Sequence, residues 1–281
     1  MLWIVQTNLL NDDAYWRLTV SMDELGISWK PIKVIPFSDD LELPSGVTNP
    51  CLFYGSTTLQ RLVKARPELV PGVWTSENFD YQTQIQKYGK HMLNHDAEIY
   101  PFKDVPEFEG VKFMRPVHDT KAFTGALVGG DELRTWQNNV LGVAGWNNNP
   151  AYDGFMETWK SSVMTPLTPT LVASPKNVRF EYRIFVVNGA VITASLYHVN
   201  DRLVKRNADT DDNTLDPLVR EYAQEQVDRW QPAEAFVMDI GVLEDDRGHY
   251  DFRIVEINSF NCSGFYECDV KKIVEAMELL T

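Results

Sequence analysis

The order of apolar runs and turn signals predicts a chain of mixed α/β and α+β class: a small parallel α/β unit followed by strand-rich, mainly antiparallel structure. Three observations carry this expectation. In the first hundred residues short apolar runs alternate with helical periods, the pattern of a parallel sheet with crossover helices. From Leu171 onward the chain reads mainly as strand, with Asn188-Gly189 placed between two runs as a two-residue hairpin turn. Near the C-terminus, two runs that otherwise read as buried strands, residues 235–243 and 252–258, carry the oxygen-bearing side chains Asp239, Glu256 and Asn258.

Taken in order, residues 2–6 form a short apolar strand and residues 12–25 a helix with Asn11 or Asp12 as its cap, after which 33–37 is extended again. The pattern then repeats. Residues 50–54 read as a buried strand, Gly55 turns the chain, and Ser56 caps a helix that runs through Lys64 and is ended by Pro67. A helix over 81–93 leads into a second region, where strands 98–102 and 111–116 are joined by a turn near Pro106 and Gly110. A strand at 122–127 follows, and Gly129-Gly130 with Asp131 opens a helix toward Val140. Loops are expected at 147–150 and 165–170, where Asn and Pro cluster. Further strands are expected at 171–173, 179–187, 190–197, 236–244 and 250–258, with an acidic loop at 207–213 and an amphipathic helix at 217–230.

A chain of 281 residues with 44% hydrophobic residues can bury a large core and lies near the size at which one domain gives way to two. Its formal charge of -14 argues against a general nucleic-acid or membrane-surface binder, because both need a basic face. A polyanionic ligand must therefore meet a local basic pocket. Cys51, Cys262 and Cys268 fit neither a disulfide framework nor a zinc pattern and read as reduced thiols. No apolar run reaches the length of a membrane span, and residues 1–6 lack the basic start of a signal segment, so a cytoplasmic protein is expected.

Side chains alternate across a strand, so Glu256 and Asn258 share one face while Val255 and Ile257 take the other. A carboxylate, an amide oxygen two residues on and Asp239 from a neighbouring strand make the oxygen-rich set that a hard cation such as Mg²⁺ prefers, and a cation so held can carry phosphates. The alternative is polar strand residues satisfied by hydrogen bonds. Glu181, Arg183 and Phe185 share a face of the strand 179–187, and Arg183 is either half of a structural salt bridge or a planar fork for phosphate. Arg115 ends a strand before Pro116, and Lys121 lies six residues on in the following turn. Together they could hold a polyphosphate, with Gly125 allowing close backbone approach, or they are ordinary surface cations on a hairpin. His91 and His95 have helical metal-site spacing, but Met92 stands where the hydrolase glutamate belongs, so they read as a helix face. A phosphate loop ending in Gly-Lys-Ser/Thr, the dinucleotide fingerprint and the serine elbow are all absent from the sequence.

In order, Phe113-Met114-Arg115-Pro116, Lys121, Leu171-Val172-Ala173-Ser174, Glu181-Tyr182-Arg183-Ile184-Phe185-Val186-Val187-Asn188-Gly189, Asp239 and Glu256-Ile257-Asn258 resemble the ATP-grasp superfamily. The middle motif is similar to a strand of the ribosomal-protein glutamate ligases. The whole chain resembles phage and bacterial ATP-grasp proteins that carry arginine at the usual ATP-binding lysine, here Arg115. The resemblance implies an ATP-grasp fold preceded by a small Rossmann-like domain, divided as 1–78, 79–170 and 171–281, with ATP between the last two. It implies that Arg115 and Lys121 contact ATP phosphates, that the backbone at Val172 and Ala173 meets adenine, and that Glu181 joins this cofactor site. Arg183 would touch the γ-phosphate or an acyl-phosphate, with Arg183 and Lys121 as the catalytic pair. Asp239, Glu256 and Asn258 would hold Mg²⁺, or Mn²⁺ in its place.

The activity so implied is an ATP-dependent carboxylate–amine, or carboxylate–thiol, ligase working through an acyl-phosphate. A phosphotransferase on the same scaffold and an inactive nucleotide-binding module are the alternatives. The substrates expected are small-molecule or peptide carboxylates and amines, with no nucleic acid and no membrane. Their pocket would draw on loops of the first domain and on Ser259, Asn261, Ser263 and Gly264 after the metal strand.

Overall fold

A computed structural model describes residues 1–8, 12–35, 40–118, 122–146, 163–200, 202–210, 215–245 and 247–280. The first unit is a parallel sheet, order β2-β1-β3-β4, built from β1 (Leu2–Gln6), β2 (Trp29–Ile32), β3 (Cys51–Tyr54) and β4 (Pro71–Gly72). Its central strands, β1 up to Gln6 and β3, are apolar because both faces are covered. Ile4 and Phe53 pack on one side with Leu59, Leu62 and Val63 of α2 (Thr57–Lys64), while Trp3, Val5 and Leu52 pack on the other with Leu18 and Met22 of α1 (Asp12–Leu25). Ser56 caps α2 as expected, accepting from the Leu59 amide at 3.3 Å. The cap expected at Asn11 or Asp12 lies outside the described side chains.

The second strand lies at Trp29–Ile32, ahead of the extended stretch expected at 33–37, of which residues 36 and 37 lie outside the described residues. Trp29 sits in register with Trp3, and after Ile32 the ladder hands over to a side chain. The Asn8 amide donates to the Val34 carbonyl at 2.7 Å and its oxygen accepts from the Val34 amide at 3.1 Å, so the chain stays alongside without strand pairing.

The next helix, α3 (Tyr81–Tyr88), is shorter than the expected 81–93, because Gly89 adopts φ +54 and a 3₁₀ turn follows. His91 falls in that turn, so it shares no helix with His95, whose Nδ1 lies against the Met92 carbonyl. The following antiparallel sheet, order β5-β8-β6-β7, comprises β5 (Glu98–Pro101), β6 (Val111–Pro116), β7 (Ala126–Gly129) and β8 (Pro169–Ala173). The hairpin strand thus begins at Ala126 and not at 122, and the expected 165–170 loop gives way to strand at Pro169. A boundary at residues 170 and 171 falls inside β8. Helix α4 (Leu133–Val143) covers one face, where Val105, Met114, Val128, Leu133 and Val172 form a small core.

The third sheet, order β11-β10-β9-β12-β13, is antiparallel: β9 (Val178–Val187), β10 (Ala190–Val199), β11 (Arg202–Asn207), β12 (Ala235–Glu244) and β13 (Tyr250–Ser259). Asn188 and Gly189 have φ of 49° and 76°, both left-handed, as a type I′ hairpin turn requires. Ile184, Val186, Met238 and Ile240 point to the face covered by α5 (Leu215–Arg229). Phe185, Val187 and Val237 point to the other, where Phe260, Phe265, α6 (Val270–Glu278) and the first unit pack. Neither β11 nor α6 is anticipated above. Arg202, Lys205 and Arg206 give β11 the charged character of an edge strand, which hides its periodicity.

Asp96, just before β5, clamps the link between the second and third sheets. It takes the Lys176 ammonium at 2.8 Å and the Ser174 amide at 3.2 Å. Burial by itself would raise this carboxyl, but the bonds from Lys176 and Ser174 outweigh it and bring it to about 2, from 3.8. A depressed folded-state value contributes stability above the unfolded one and loses it as pH falls through the folded one. Asp96→Asn should therefore cost about 0.5–1 kcal/mol at neutral pH, allowing for solvent screening. In urea titrations at a series of pH values, the gap from wild type should close as pH drops from 3.8 toward about 2. At the β7–α4 corner, a Cβ on Gly130 would lie 1.8 Å from the Phe108 carbonyl oxygen. Gly130→Ala should lower stability by roughly 1–3 kcal/mol in the same titration at neutral pH.

Candidate functional site

Three adjacent strands of the third sheet put charged residues in one row. Arg183 of β9 is paired in register with Asp239 of β12, and Asp239 with Glu256 of β13. Cross-strand partners share a face, so all three side chains project toward the side on which the first unit packs. Asp239 is 1% exposed and grips Arg183 with both oxygens, Nε to Oδ1 at 2.9 Å and Nη2 to Oδ2 at 2.7 Å. The remaining nitrogen, Nη1, donates to the Gly264 carbonyl at 3.1 Å. Each nitrogen of Arg183 thus meets a protein acceptor, and the guanidinium is held in place at the end of the row.

Arg115 reaches the row from the second sheet. Its Nη1 donates to Glu256 Oε2 at 2.8 Å, and its guanidinium lies 5.4 Å from the Tyr81 ring centre. Asn258 closes the group, its Nδ2 donating to Glu256 Oε1 at 3.0 Å and lying 3.4 Å from Asp239 Oδ2. The Arg115–Glu256 pair stands in the wall of two clefts. One, of about 220 Å³, is lined by Thr57, Gln60, Thr75 and Asn258. The other, of about 230 Å³, is lined by Phe113, His118, Phe123 and Gly125 of the β6–β7 hairpin.

The electrostatics follow burial and partners. Burial pushes the Asp239 carboxyl up; Arg183 opposes that, while Glu256 and Glu181 add to it. Burial also raises Glu256, but Arg115 and the Asn258 hydrogen bond outweigh it and hold the carboxyl below its ordinary range. Burial works against charge on Arg183, and Asp239 more than offsets it, so the guanidinium is held above its usual value.

Glu181 lies on the Arg183 face, accepting from the Tyr197 hydroxyl at 2.5 Å with His198 Nδ1 at 3.9 Å. The Val172 side chain belongs to the core under α4, whereas Ala173 faces the core shared with the third sheet. Lys121 lies outside the described residues. Three of the residues expected to approach a substrate are committed elsewhere. Asn261 bonds to the Phe53 carbonyl and the Trp74 amide, the Ser263 hydroxyl to the Ser259 carbonyl, and the Gly264 carbonyl to Arg183. They are occupied because the segment after β13 is the seam with the first unit. Sequence reasoning missed Tyr197 and Tyr266, stacked at 4.6 Å beside Arg183, and Gln60 and Thr57, which the fold brings to the cleft from α2. Their only signal in the chain is an aromatic or polar side chain of ordinary type.

Two carboxylates and an amide fit a hard divalent cation by donor type, since each carboxylate oxygen keeps a second lone pair beside its hydrogen bond. Among the described residues no cluster of three or more His, Cys, Asp or Glu is placed to hold a metal.

Comparison with known proteins agrees with this fold. The fold is similar to a RimK domain ATP-grasp protein of Sphaerobacter thermophilus, with TM-score 0.58, 14% identity and all of both chains covered. It is similar to the D-alanine–D-alanine ligase of Bacillus anthracis in complex with ATP, with TM-score 0.53, 10% identity, and 99% of this chain and 97% of that one covered. It also matches the ATP-grasp ligase PsnB in complex with a minimal precursor, with TM-score 0.51, 12% identity, and 92% and 89% of the two chains covered. No curated protein matches the chain. The model of the ATP-grasp domain, R-2-K clade family 3, matches residues 113–277, a span that holds Arg115, Arg183, Asp239, Glu256 and Asn258. That span is more than half of the chain, and the protein therefore belongs to the ATP-grasp family, in the third family of that clade.

Proposed function

We propose that this protein is an ATP-dependent ligase that joins a carboxylate to an amine, or to a thiol, through an acyl-phosphate. The observation that carries the reading is the in-register row Arg183–Asp239–Glu256, met from the facing sheet by Arg115 inside an ATP-grasp fold. The substrate carboxylate oxygen attacks the γ-phosphorus, the bond to the β-phosphate oxygen breaks, and ADP leaves. The amine then attacks the acyl carbon, loses a proton and expels phosphate. Such chemistry asks the protein for positioning and charge neutralisation and needs no protein nucleophile.

In this reading Arg115 and Lys121 hold ATP phosphates, the backbone at Val172 and Ala173 lies along the adenine, Glu181 belongs to the same site, and Arg183 stabilises charge on the transferring phosphoryl group. Asp239, Glu256 and Asn258 hold Mg²⁺, or Mn²⁺, which when bound would neutralise phosphate charge. The domains follow as 1–78, 79–170 and 171–281, with the last strand of the middle sheet carried over the second boundary. The cleft beside Thr57 and Gln60 would take a small-molecule or peptide substrate. Likeness to a ligase bound to ATP and to another bound to a precursor supports both roles. We place the protein in the cytoplasm; among the described residues no helix is long and apolar enough to cross a membrane.

ADP release measured with and without candidate amines tests the proposal. Amine-dependent release supports a ligase, release with a stable phosphorylated product points to a phosphotransferase, and nucleotide binding without release points to a binding module. Glu256→Gln keeps the shape and removes a charge, so Mg²⁺-dependent ATP affinity should drop and turnover should fall by orders of magnitude; unchanged Mg²⁺ dependence refutes the metal role. Arg183→Lys loses the planar fork, so single-turnover phosphoryl transfer should slow more than ATP affinity falls, with roughly 1–3 kcal/mol of stability lost in urea titration.

A further inference from the structure

Tyr266 occupies a backbone conformation that suits glycine. Its φ is +47, in the left-handed region that bulky residues rarely adopt, and such strain persists only where the surroundings over-determine it. The surroundings are specific here. Arg17 of α1 donates through Nη1 to the Tyr266 carbonyl, and through Nη2 to the Cys268 carbonyl at 2.7 Å. On the far side, the Glu267 amide donates to Ser195 Oγ at 3.1 Å and the Asp269 amide to Thr193 Oγ1 at 2.9 Å.

The conformation delivers the ring to one place. Tyr266 stacks on Tyr197 with 4.6 Å between centres and 3° between planes, and Tyr197 is itself anchored through its hydroxyl to Glu181. The Arg183 guanidinium lies 4.8 Å from the Tyr266 ring centre and 5.6 Å from that of Tyr197. Asp239 fixes the guanidinium within its own plane through two parallel bonds but does little against tilting out of that plane. An aromatic face against it removes that freedom.

We infer that Tyr266 is a positioning residue for Arg183, and that Arg17 holds Tyr266 in the strained conformation that makes this bracing available. The first α/β unit then acts on phosphoryl transfer through a backbone carbonyl, without itself touching the reacting atoms. This rests on the ligase reading for the rate it affects.

The test compares Tyr266→Phe, which keeps the ring, with Tyr266→Gly, which suits the backbone and removes it. In the full-length protein Tyr266→Phe should hold kcat within about twofold of wild type, whereas Tyr266→Gly should lower kcat about tenfold or more with KM for ATP little changed. Its melting temperature should stay within a few degrees of wild type, because relief of strain offsets lost packing. Equal loss in the Phe and Gly variants, or full kcat in Tyr266→Gly, overturns the proposal. Arg17→Gln should reproduce the kcat defect in weaker form; an unaffected kcat overturns the role of Arg17. A readout free of turnover separates this from the ligase assignment: the melting-temperature losses of Tyr266→Ala, which removes the ring without relieving the backbone, and Arg183→Lys should be non-additive in the double variant. Additive losses refute the bracing even if the ligase activity is confirmed, and non-additive losses uphold it even if no amine substrate is turned over.

Discussion

A guanidinium clasped by an almost fully buried carboxylate, Arg183 with Asp239, sets the terms for everything around it. Two ions withdrawn from water are costly unless geometry and further hydrogen bonds are good, and removing one partner from such a pair typically costs about 3–5 kcal/mol. The surrounding sheet supplies what the pair needs. Strands β9, β12 and β13 must hold one register so that Arg183, Asp239 and Glu256 fall in line, since a slip of one residue would send each of them to the opposite, apolar face. The apolar residues between them, Ile184, Met238 and Ile257, hold that register by packing under α5 and α3.

The first α/β unit supplies the other half of the enclosure. Its contact with the segment after β13 is polar and buried: the Gly55 amide to the Asn261 carbonyl at 2.8 Å, the Trp74 amide to Asn261 Oδ1 at 2.8 Å, and the Tyr54 hydroxyl to the Ser263 carbonyl at 2.7 Å. Phe260 fills the seam among Trp3, Tyr54, Trp74 and Phe185. Buried backbone groups satisfied in this way leave little room for slippage. The consequence is functional: the segment that accepts Arg183 Nη1 at Gly264 is the same one that the first unit grips, so the charged row is held from two directions.

Legibility in the sequence tracked the strength of local signals. The hairpin at Asn188-Gly189 and strands β9, β12 and β13 could be read because alternation in β9, the continuous apolar run of β12 and a turn that needs left-handed residues are all local. Ser56 was readable as a cap for the same reason. Strand β11 was not, since a charged edge strand resembles a loop, and β2 was displaced because its place is set by register with Trp3 and by the Asn8 side chain. At the site, alternation put Glu256 and Asn258 on one face, yet it left Arg183 open between a salt bridge and a free fork. That Asp239 clasps it from across the ladder is visible only in the tertiary structure.

Residue type and spacing alone determined the mixed architecture, the presence of two oxygen-bearing strands and the arginines able to meet a phosphate, because these depend on side-chain chemistry and short-range periodicity. Tertiary structure decided that Arg115 crosses from one sheet to Glu256 on another, that α2 lends Thr57 and Gln60 to the cleft, and that Tyr266 lies against Arg183. Each of these joins residues far apart in the chain. Such contacts are set by how whole sheets pack and by a backbone conformation imposed from outside, neither of which leaves a periodic trace in the sequence.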